Sequence, residues 1–342
     1  MDTQLQKLLN AHTWSLTPLP HGKKAIPCKW VYSLKHGAKE DQHCESARLV
    51  ARGDLQRPGE DYGETFAPVI KLVSFRILLT LTAISDVKLH HWDVVAAFLH
   101  GDLSEEVYMK QPPGYDDKSG NVFLLHKSIY GLCQSSRTFY LHLDTIMREL
   151  NWRRLHSEWA IWISPDKSSF MASHVDDMLV GASPQDAKLL RTHLEKYLQI
   201  TDFGDASIYI GIHISRNHQS RTISIQQSDY IDKVLQAFHM SGCNPVSTLM
   251  AESDRERVVG VHTELLSKAD MKTYQRIIGC LLFLVHGTRP DLAYSVIRLA
   301  QFSARPERHH FEALKRILRY LKANGFVKGY SEAIFGQLRN TQ

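Results

Sequence analysis

Cysteine is scarce and scattered: the chain has five, Cys28, Cys44, Cys133, Cys243 and Cys280, and no Cys-x-x-Cys spacing. That excludes a zinc ribbon and a disulfide framework, and it fits a reducing compartment. Long apolar runs are missing too. The longest, residues 277–285, falls far short of the ~20 residues that cross a bilayer, and the opening Met1-Asp2-Thr3-Gln4 lacks a charged stretch leading into an apolar core. The expectation is a soluble, intracellular protein with no signal peptide, no transmembrane segment and no membrane partner. Neither charge sign dominates. A net charge of +5 with 23% charged residues permits a nucleic-acid partner without requiring one. Helical zinc-ligand pairs are absent although the chain has 19 histidines. His90-His91 and His309-His310 are adjacent rather than i, i+4, so they read as surface or packed residues. No internal repeat or low-complexity tract occurs, and 43% hydrophobic residues supply enough core for two lobes.

Three carboxylates stand out against these absences. Asp93 closes His91-Trp92-Asp93-Val94, and Asp176-Asp177 closes His174-Val175-Asp176-Asp177, each after a short apolar run. Residues 168–175 and 178–182 read as two strands with the acidic pair at their hairpin tip. Val87, Leu89, His91 and Asp93 alternate along one face of an earlier strand, which brings a third carboxylate to the same sheet edge. Hard Mg²⁺ prefers carboxylate oxygens plus substrate phosphates to a full protein cage. Two such ions about 4 Å apart activate an attacking oxygen and stabilise a leaving one, so the implied reaction is nucleotidyl transfer. On pattern alone, a solvated turn and an unrelated strand-end Asp account for the same residues.

The order of elements narrows the fold. Residues 29–34 and 48–51 lean towards strand around a polar stretch with Gly37, Lys39, Glu40 and Asp41, which reads as a hairpin. Residues 73–84 are helical in pattern. Residues 135–151 carry Phe139, Leu143, Ile146, Met147 and Leu150 at helical spacing. Ser183-Pro184-Gln185-Asp186 opens another helix with an N-cap Ser, Pro at N1 and an acid at N3, and Ala187, Leu190, Leu194 and Tyr197 mark its buried side. Strand, helix, strand hairpin, helix is the order of a split βαβ sheet with helices on one side. Residues 208–214 and 222–225 read as a further hairpin, and 229–239 as a helix. A linker over 242–266 follows, then helices at 274–285, 292–302 and 311–323. In the last, Phe311, Leu314, Ile317, Leu318 and Leu321 line one face. Lys315, Arg316, Arg319 and Lys322 occupy the other, either to track a phosphate backbone or simply to meet solvent.

Many motifs point to one family. Ala47-Arg48-Leu49-Val50-Ala51-Arg52-Gly53, Asp61-Tyr62-Gly63-Glu64-Thr65-Phe66-Ala67-Pro68-Val69, Asp93-Val94-Val95-Ala96-Ala97-Phe98-Leu99, Tyr108-Met109-Lys110-Gln111-Pro112 and Tyr130-Gly131-Leu132 resemble the reverse transcriptase of copia-type LTR retrotransposons, in that family's order. Thr13-Trp14, Lys29-Trp30-Val31, the Val-Asp-Asp hairpin, Thr288-Arg289-Pro290-Asp291 and Arg319-Tyr320-Leu321 extend the likeness from about residue 13 to about residue 330. The resemblance implies an α+β polymerase right hand over 13–252, with fingers, a palm built on a split βαβ sheet, and a thumb. It also implies a helical connection segment over 253–330 and a truncated tail over 331–342 with the RNase H domain absent. The activity implied is that of an RNA-directed DNA polymerase, as a fragment of a Pol polyprotein.

By the same resemblance, Asp93, Asp176 and Asp177 are the catalytic and metal-binding carboxylates, holding two Mg²⁺ ions with Mn²⁺ able to substitute. Arg48 and Arg52 hold the triphosphate through bidentate hydrogen bonds; as sequence alone they are also ordinary cross-strand surface charges. Phe98, five residues after Asp93, lies against the sugar where a 2′-hydroxyl would clash, or is core. Gln134 helps to position the template beside the incoming nucleotide. His174, Gly204 and Gly211 contact primer and template, Phe203-Gly204 and Tyr209-Ile210-Gly211-Ile212 forming a primer-gripping hairpin; turn glycines are the plain alternative. The implied partners are a primed RNA or DNA template, deoxynucleoside triphosphates, and the integrase and RNase H domains of a full-length element, in a cytoplasmic particle or the nucleus.

Several positions depart from the family pattern. Cys133 stands where Lys is usual, Ser135 where a small apolar residue is, His174 where Tyr is, and Ser46 where a basic residue is. After Gly329-Tyr330-Ser331 the chain reads Glu332-Ala333-Ile334-Phe335 instead of an acidic RNase H motif. A second functional reading therefore stands beside the enzyme: a catalytically decayed remnant that folds and binds nucleic acid nonspecifically.

Overall fold

Short, largely apolar runs build the central element, a six-stranded antiparallel sheet whose strands Phe170–His174 and Asp177–Ala182 are buried along nearly their whole length. Its strand order is Ile200–Asp205, Lys88–Val94, Asp177–Ala182, Phe170–His174, Ile161–Ile163 and Arg153–Arg154. In the computed structural model the described residues are 1–36, 43–250 and 264–324. The polar turn with Gly37, Lys39, Glu40 and Asp41, residues 251–263 of the linker, and everything from 325 onward lie outside them, including Gly329-Tyr330-Ser331 and the 331–342 tail.

Because paired residues across an antiparallel ladder share a face, the register fixes what each face carries. Trp92, Val94, Met178, Val180 and Ala182 are buried on one face against Phe139, Leu143, Ile146 and Met147 of helix Ser135–Glu149 and Ala187, Leu190 and Leu194 of helix Pro184–Leu194. Both helices therefore cover the same face, as the split βαβ order predicts, and the fold class is α+β. Ser183 caps the second helix by accepting the Asp186 backbone N–H at 3.1 Å, with Pro184 in its first turn. Tyr197 departs from expectation. The helix ends at Leu194, so Tyr197 leaves the apolar stripe, stays 42% exposed, and its hydroxyl donates to Glu149 at 2.7 Å.

The chain divides into two compact units, one of residues 1–71 and 87–205, the other of 72–86 and 206–342. Besides the six-stranded sheet, the first holds the hairpin Cys28–His36 with His43–Ala51 and a three-stranded sheet of Trp14–Thr17, Val122–Lys127 and Asp102–Met109. A second core of Ile26, Leu49, Val107, Met109, Phe123, Leu125 and Ile129 joins them.

The second unit contains helix Leu72–Ser85, a small sheet, and helices Ser228–Ala237, Lys268–Gly287, Ala293–Ala300 and Arg308–Ala323, the last four sharing one apolar core. Residues 208–214 are not one strand. The chain turns back at Ile210 and Gly211, with φ of 45° and 76°, so Tyr209 pairs with Ile212. Gly permits such a turn, and beyond it Ile212–Asn217 pairs with Thr222–Gln226 through a second turn at 218–221.

The charged face of Arg308–Ala323 is also occupied by protein. Arg316 donates to the Thr248 hydroxyl at 2.7 Å, Arg319 to the Asn244 carbonyl at 2.7 Å, and Lys322 to the Ser241 carbonyl. These bonds hold residues 241–248 along the helix, so three of its four named cations serve the protein's own backbone and side chains. Arg289 links Thr288-Arg289-Pro290-Asp291 to the helix that carries Arg319-Tyr320-Leu321. Buried, it makes a fork to Asp291 at 2.9 and 2.8 Å, donates to the Asn324 carbonyl at 2.6 Å and lies 5.7 Å from the Tyr320 ring centroid.

Candidate active site

The sheet face opposite the two helices carries the carboxylates. Asp177 pairs directly with Asp93 and, on its other side, with His174, while Asp93 pairs with Thr201. Thr201, Asp93, Asp177 and His174 thus form one rung across four strands, with side chains on a common face. Asp176 lies in the two-residue turn between His174 and Asp177, and its carbonyl accepts the Val94 backbone N–H at 3.0 Å. That bond ties the hairpin tip to the residue following Asp93. Val175, the other turn residue, has φ 60°. A β-branched residue in this region is a genuine outlier, and a tight two-residue hairpin turn demands it; strain of this kind is tolerated where surrounding pairing over-determines the backbone.

Burial pushes the Asp176 carboxyl above the ordinary range; its own backbone amide opposes this, the neighbouring Asp177 adds to it, and His174 and Arg48 pull it back. The Tyr130 phenol behaves similarly: burial raises it, Arg48 offsets part, and Asp176 and Asp93 add. Tyr130 therefore lies within electrostatic reach of Arg48, Asp93 and Asp176, and Arg48 within reach of Asp176. Directly, the Arg48 guanidinium carbon sits 5.3 Å from the Tyr130 ring centroid, and Phe98 meets that ring edge-on at 4.8 Å. Phe98 also packs against the palm core, so core packing and a place beside the site coexist. Sequence spacing gave Tyr130 no role; only folding sets its ring between residues 48 and 98.

His91 is another residue that the motif reading passed over. Its Nε2 lies 3.0 Å from an Asp177 carboxylate oxygen, and its ring centroid is 5.1 Å from that of Phe203. The signal was available, since His91 and Asp93 alternate on one face. Arg52 stands apart in a fork to Asp54, at 2.7 Å for both bonds. Gln134 is turned inward: its amide donates to the Asp61 carbonyl at 3.0 Å and accepts from Gln56 at 3.1 Å. The side chain is buried, and it shapes the loop beneath the fingers hairpin rather than joining the cluster. Ser46 shares a hydrogen bond of 2.6 Å with the Ser33 hydroxyl across that hairpin.

Gly204 lies at a bulge in Ile200–Asp205 with φ 78°, its N–H donating to Asp202 at 2.8 Å, and a Cβ added there would meet open space. Gly211 belongs to the other unit. Both glycines are explained locally by their positive φ.

The donor set suits a hard cation. Among the described residues no three His, Cys, Asp or Glu side chains gather tightly enough to cage an ion unaided. The available donors are the carboxylates of Asp93 and Asp176, with Asp177 beside them and bonded to His91. Such a set fits an ion that completes its shell with water and phosphate oxygens. Among the same residues no helix is long and apolar enough to cross a membrane.

Residues 11–252 match the family described as reverse transcriptase (RNA-dependent DNA polymerase). The chain belongs to that family. It is 35% identical over 97% of its length to the retrovirus-related Pol polyprotein from transposon TNT 1-94 of Nicotiana tabacum, covering 26% of that protein. To the corresponding polyprotein from transposon RE1 of Arabidopsis thaliana it is 35% identical over 94% of its length, covering 22%. A transposon Ty5-1 protein of Saccharomyces cerevisiae is 30% identical over 67% of this chain, with 74% of that protein covered. These relatives make it a copia-type reverse transcriptase, one that spans about a quarter of the length of the plant polyproteins it matches. Among solved structures, a foamy viral protease-reverse transcriptase in complex with double-stranded DNA is similar over 94% of this chain and 48% of its own, with 10% identity and TM-score 0.45.

Proposed function

We propose that this reverse transcriptase chain extends a nucleic-acid primer by RNA-directed nucleotidyl transfer. The observation that supports it best is the pairing of Asp93 with Asp177, with Asp176 in the adjoining turn tied to Val94. In this reading Asp93 and Asp176 hold two Mg²⁺, or Mn²⁺ in their place, and Asp177, anchored by His91, orients their surroundings. Bound there, the ions would activate the primer 3′-hydroxyl and stabilise the departing pyrophosphate. Arg48, the cation whose charge reaches Asp176, binds the triphosphate, and Arg52 assists once released from Asp54. Phe98 excludes a 2′-hydroxyl, Gln134 supports the template-side loop, and His174 and Gly204 flank the primer. Positioning and charge neutralisation supply most of the rate in such transfers. The whole Pol polyprotein's partners, integrase and RNase H, and an intracellular site of action follow from the relatives and belong to the same proposal.

The test is extension of a primed RNA template with Mg²⁺ or Mn²⁺. Asp176→Asn should abolish extension while leaving the melting temperature within a few degrees of the parent; full activity in that variant would sink the assignment. The second reading, a silent chain that binds nucleic acid nonspecifically, is favoured by one feature of the fingers: Ser46, where the family has a basic residue, is bonded to Ser33. Retention of primer–template without extension by the parent chain would select it.

A further inference from the structure

Tyr130 opens Tyr130-Gly131-Leu132, and its backbone joins that segment to the fingers. Its carbonyl accepts the Ala51 N–H at 2.8 Å, and the Gly131 carbonyl accepts the Gly53 N–H at 3.1 Å. The approach is close: Gly131 has φ 93°, and a Cβ there would stand 2.2 Å from the Ala51 carbonyl oxygen. The backbone that carries the Tyr130 ring is thus fixed to the fingers. Two side chains from separate elements rest on the ring, Arg48 of strand His43–Ala51 and Phe98 of the turn Ala97–His100. Both distances lie in the attractive range for a cation over a ring and for an edge-on aromatic pair. A cation held over a ring spends no N–H donor on the contact, so Arg48 keeps its hydrogen bonds for a phosphate. Phe98 has the palm core on one side and the Tyr130 ring on another. Without that ring, its own could swing away and admit a 2′-hydroxyl.

We infer that Tyr130 is a positioning residue that fixes the spacing between the triphosphate-binding Arg48 and the sugar-excluding Phe98, and so helps to set the preference for deoxynucleotides. The inference rests on the polymerase reading above.

The experiment is single-nucleotide extension on a primed RNA template by the full chain and by Tyr130→Leu, Tyr130→Phe, Phe98→Val and the Tyr130→Leu/Phe98→Val pair. KM and kcat are measured separately for a deoxynucleotide and its ribonucleotide, alongside equilibrium binding of a fluorescent deoxynucleoside triphosphate. Tyr130→Leu should raise KM about tenfold with kcat little changed, and cut discrimination about fivefold or more. Tyr130→Phe, which keeps the ring, should restore most of both. The discrimination losses of Tyr130→Leu and Phe98→Val should fail to multiply in the pair, because one acts through the other.

Unchanged KM and discrimination in a folded Tyr130→Leu overturns the inference, as do equal impairment in Tyr130→Phe and losses that multiply. Tyr130→Met takes the same test if the Leu variant does not fold. Should the parent chain bind the triphosphate yet extend nothing, the polymerase reading fails alone. Weaker binding by Tyr130→Leu then upholds the platform, and equal binding overturns it. No triphosphate binding by the parent overturns both.

Discussion

His174 shows how much one side chain can matter on a rung of four. It pairs with Asp177 and lies within electrostatic reach of Asp176 across the turn. The family pattern has Tyr at this position, whose ring would extend further beside a primer end. His174→Tyr is therefore expected to increase primer extension; a contact worth about 1 kcal/mol corresponds to roughly fivefold in rate. An equal or slower Tyr variant, compared side by side at pH 7, would show that His is fully accommodated. Strand alternation and the hairpin reading brought Asp93 and Asp177 to one sheet edge, where the two residues pair. They could not reveal His91 or Tyr130, whose importance comes from who packs against them, and they could not show that Gln134 spends its amide inside the protein.

At the scale of elements, helix Arg308–Ala323 begins with an unusual cap. The Glu307 backbone N–H donates to His310 Nδ1 at 3.0 Å, while the Glu307 side chain accepts from the His310 backbone in return. An accepting Nδ1 must be unprotonated. Burial, with His309 adding and Glu307 opposing, pushes His310 down to about 4. The sign follows from proton counting: between about 6.5 and 4 the unfolded chain binds a proton that the folded chain refuses, so stability present above 6.5 is lost as the pH falls towards 4. The loss is expected to be on the order of 2 kcal/mol. His310→Gln keeps an acceptor at the third helical position, a normal capping-box residue, and should lose less stability than the parent between pH 7 and pH 4.5 in thermal melts. Parallel loss in both proteins would remove His310 from the account. The helix itself was readable from its apolar spacing, but its cationic face was not: only the folded chain shows Arg316, Arg319 and Lys322 spent on residues 241–248.

For the whole molecule, a net charge of only +5 means that nucleic-acid affinity must come from local placement of cations rather than from bulk attraction. Binding of primer–template should still weaken linearly in log–log terms as salt rises, each neutralised duplex phosphate contributing a slope of about −0.9. A salt-independent affinity between about 50 and 200 mM would argue against phosphate contacts altogether. Helical spacing and short apolar runs bounded by polar turns made the palm legible, although its strands Phe170–His174 and Asp177–Ala182 are buried on both faces. The division into units was not legible, because helix Leu72–Ser85 packs by long-range contact with the second unit while both its sequence neighbours belong to the first. Within that unit Phe75 meets Tyr209 at 5.6 Å between ring centroids, and Arg216 donates to Asp86 at 2.9 Å. On the ribosome this has a cost in time. The helix is finished when Asp86 is added, yet its partners start at Ala206, about 120 residues later, an interval of roughly 6–24 s at ~5–20 residues per second. For that interval Phe75, Leu78 and Leu79 have nothing of their own unit from Ala206 onward to pack against, so the nascent chain must either shelter them with a chaperone or risk aggregation.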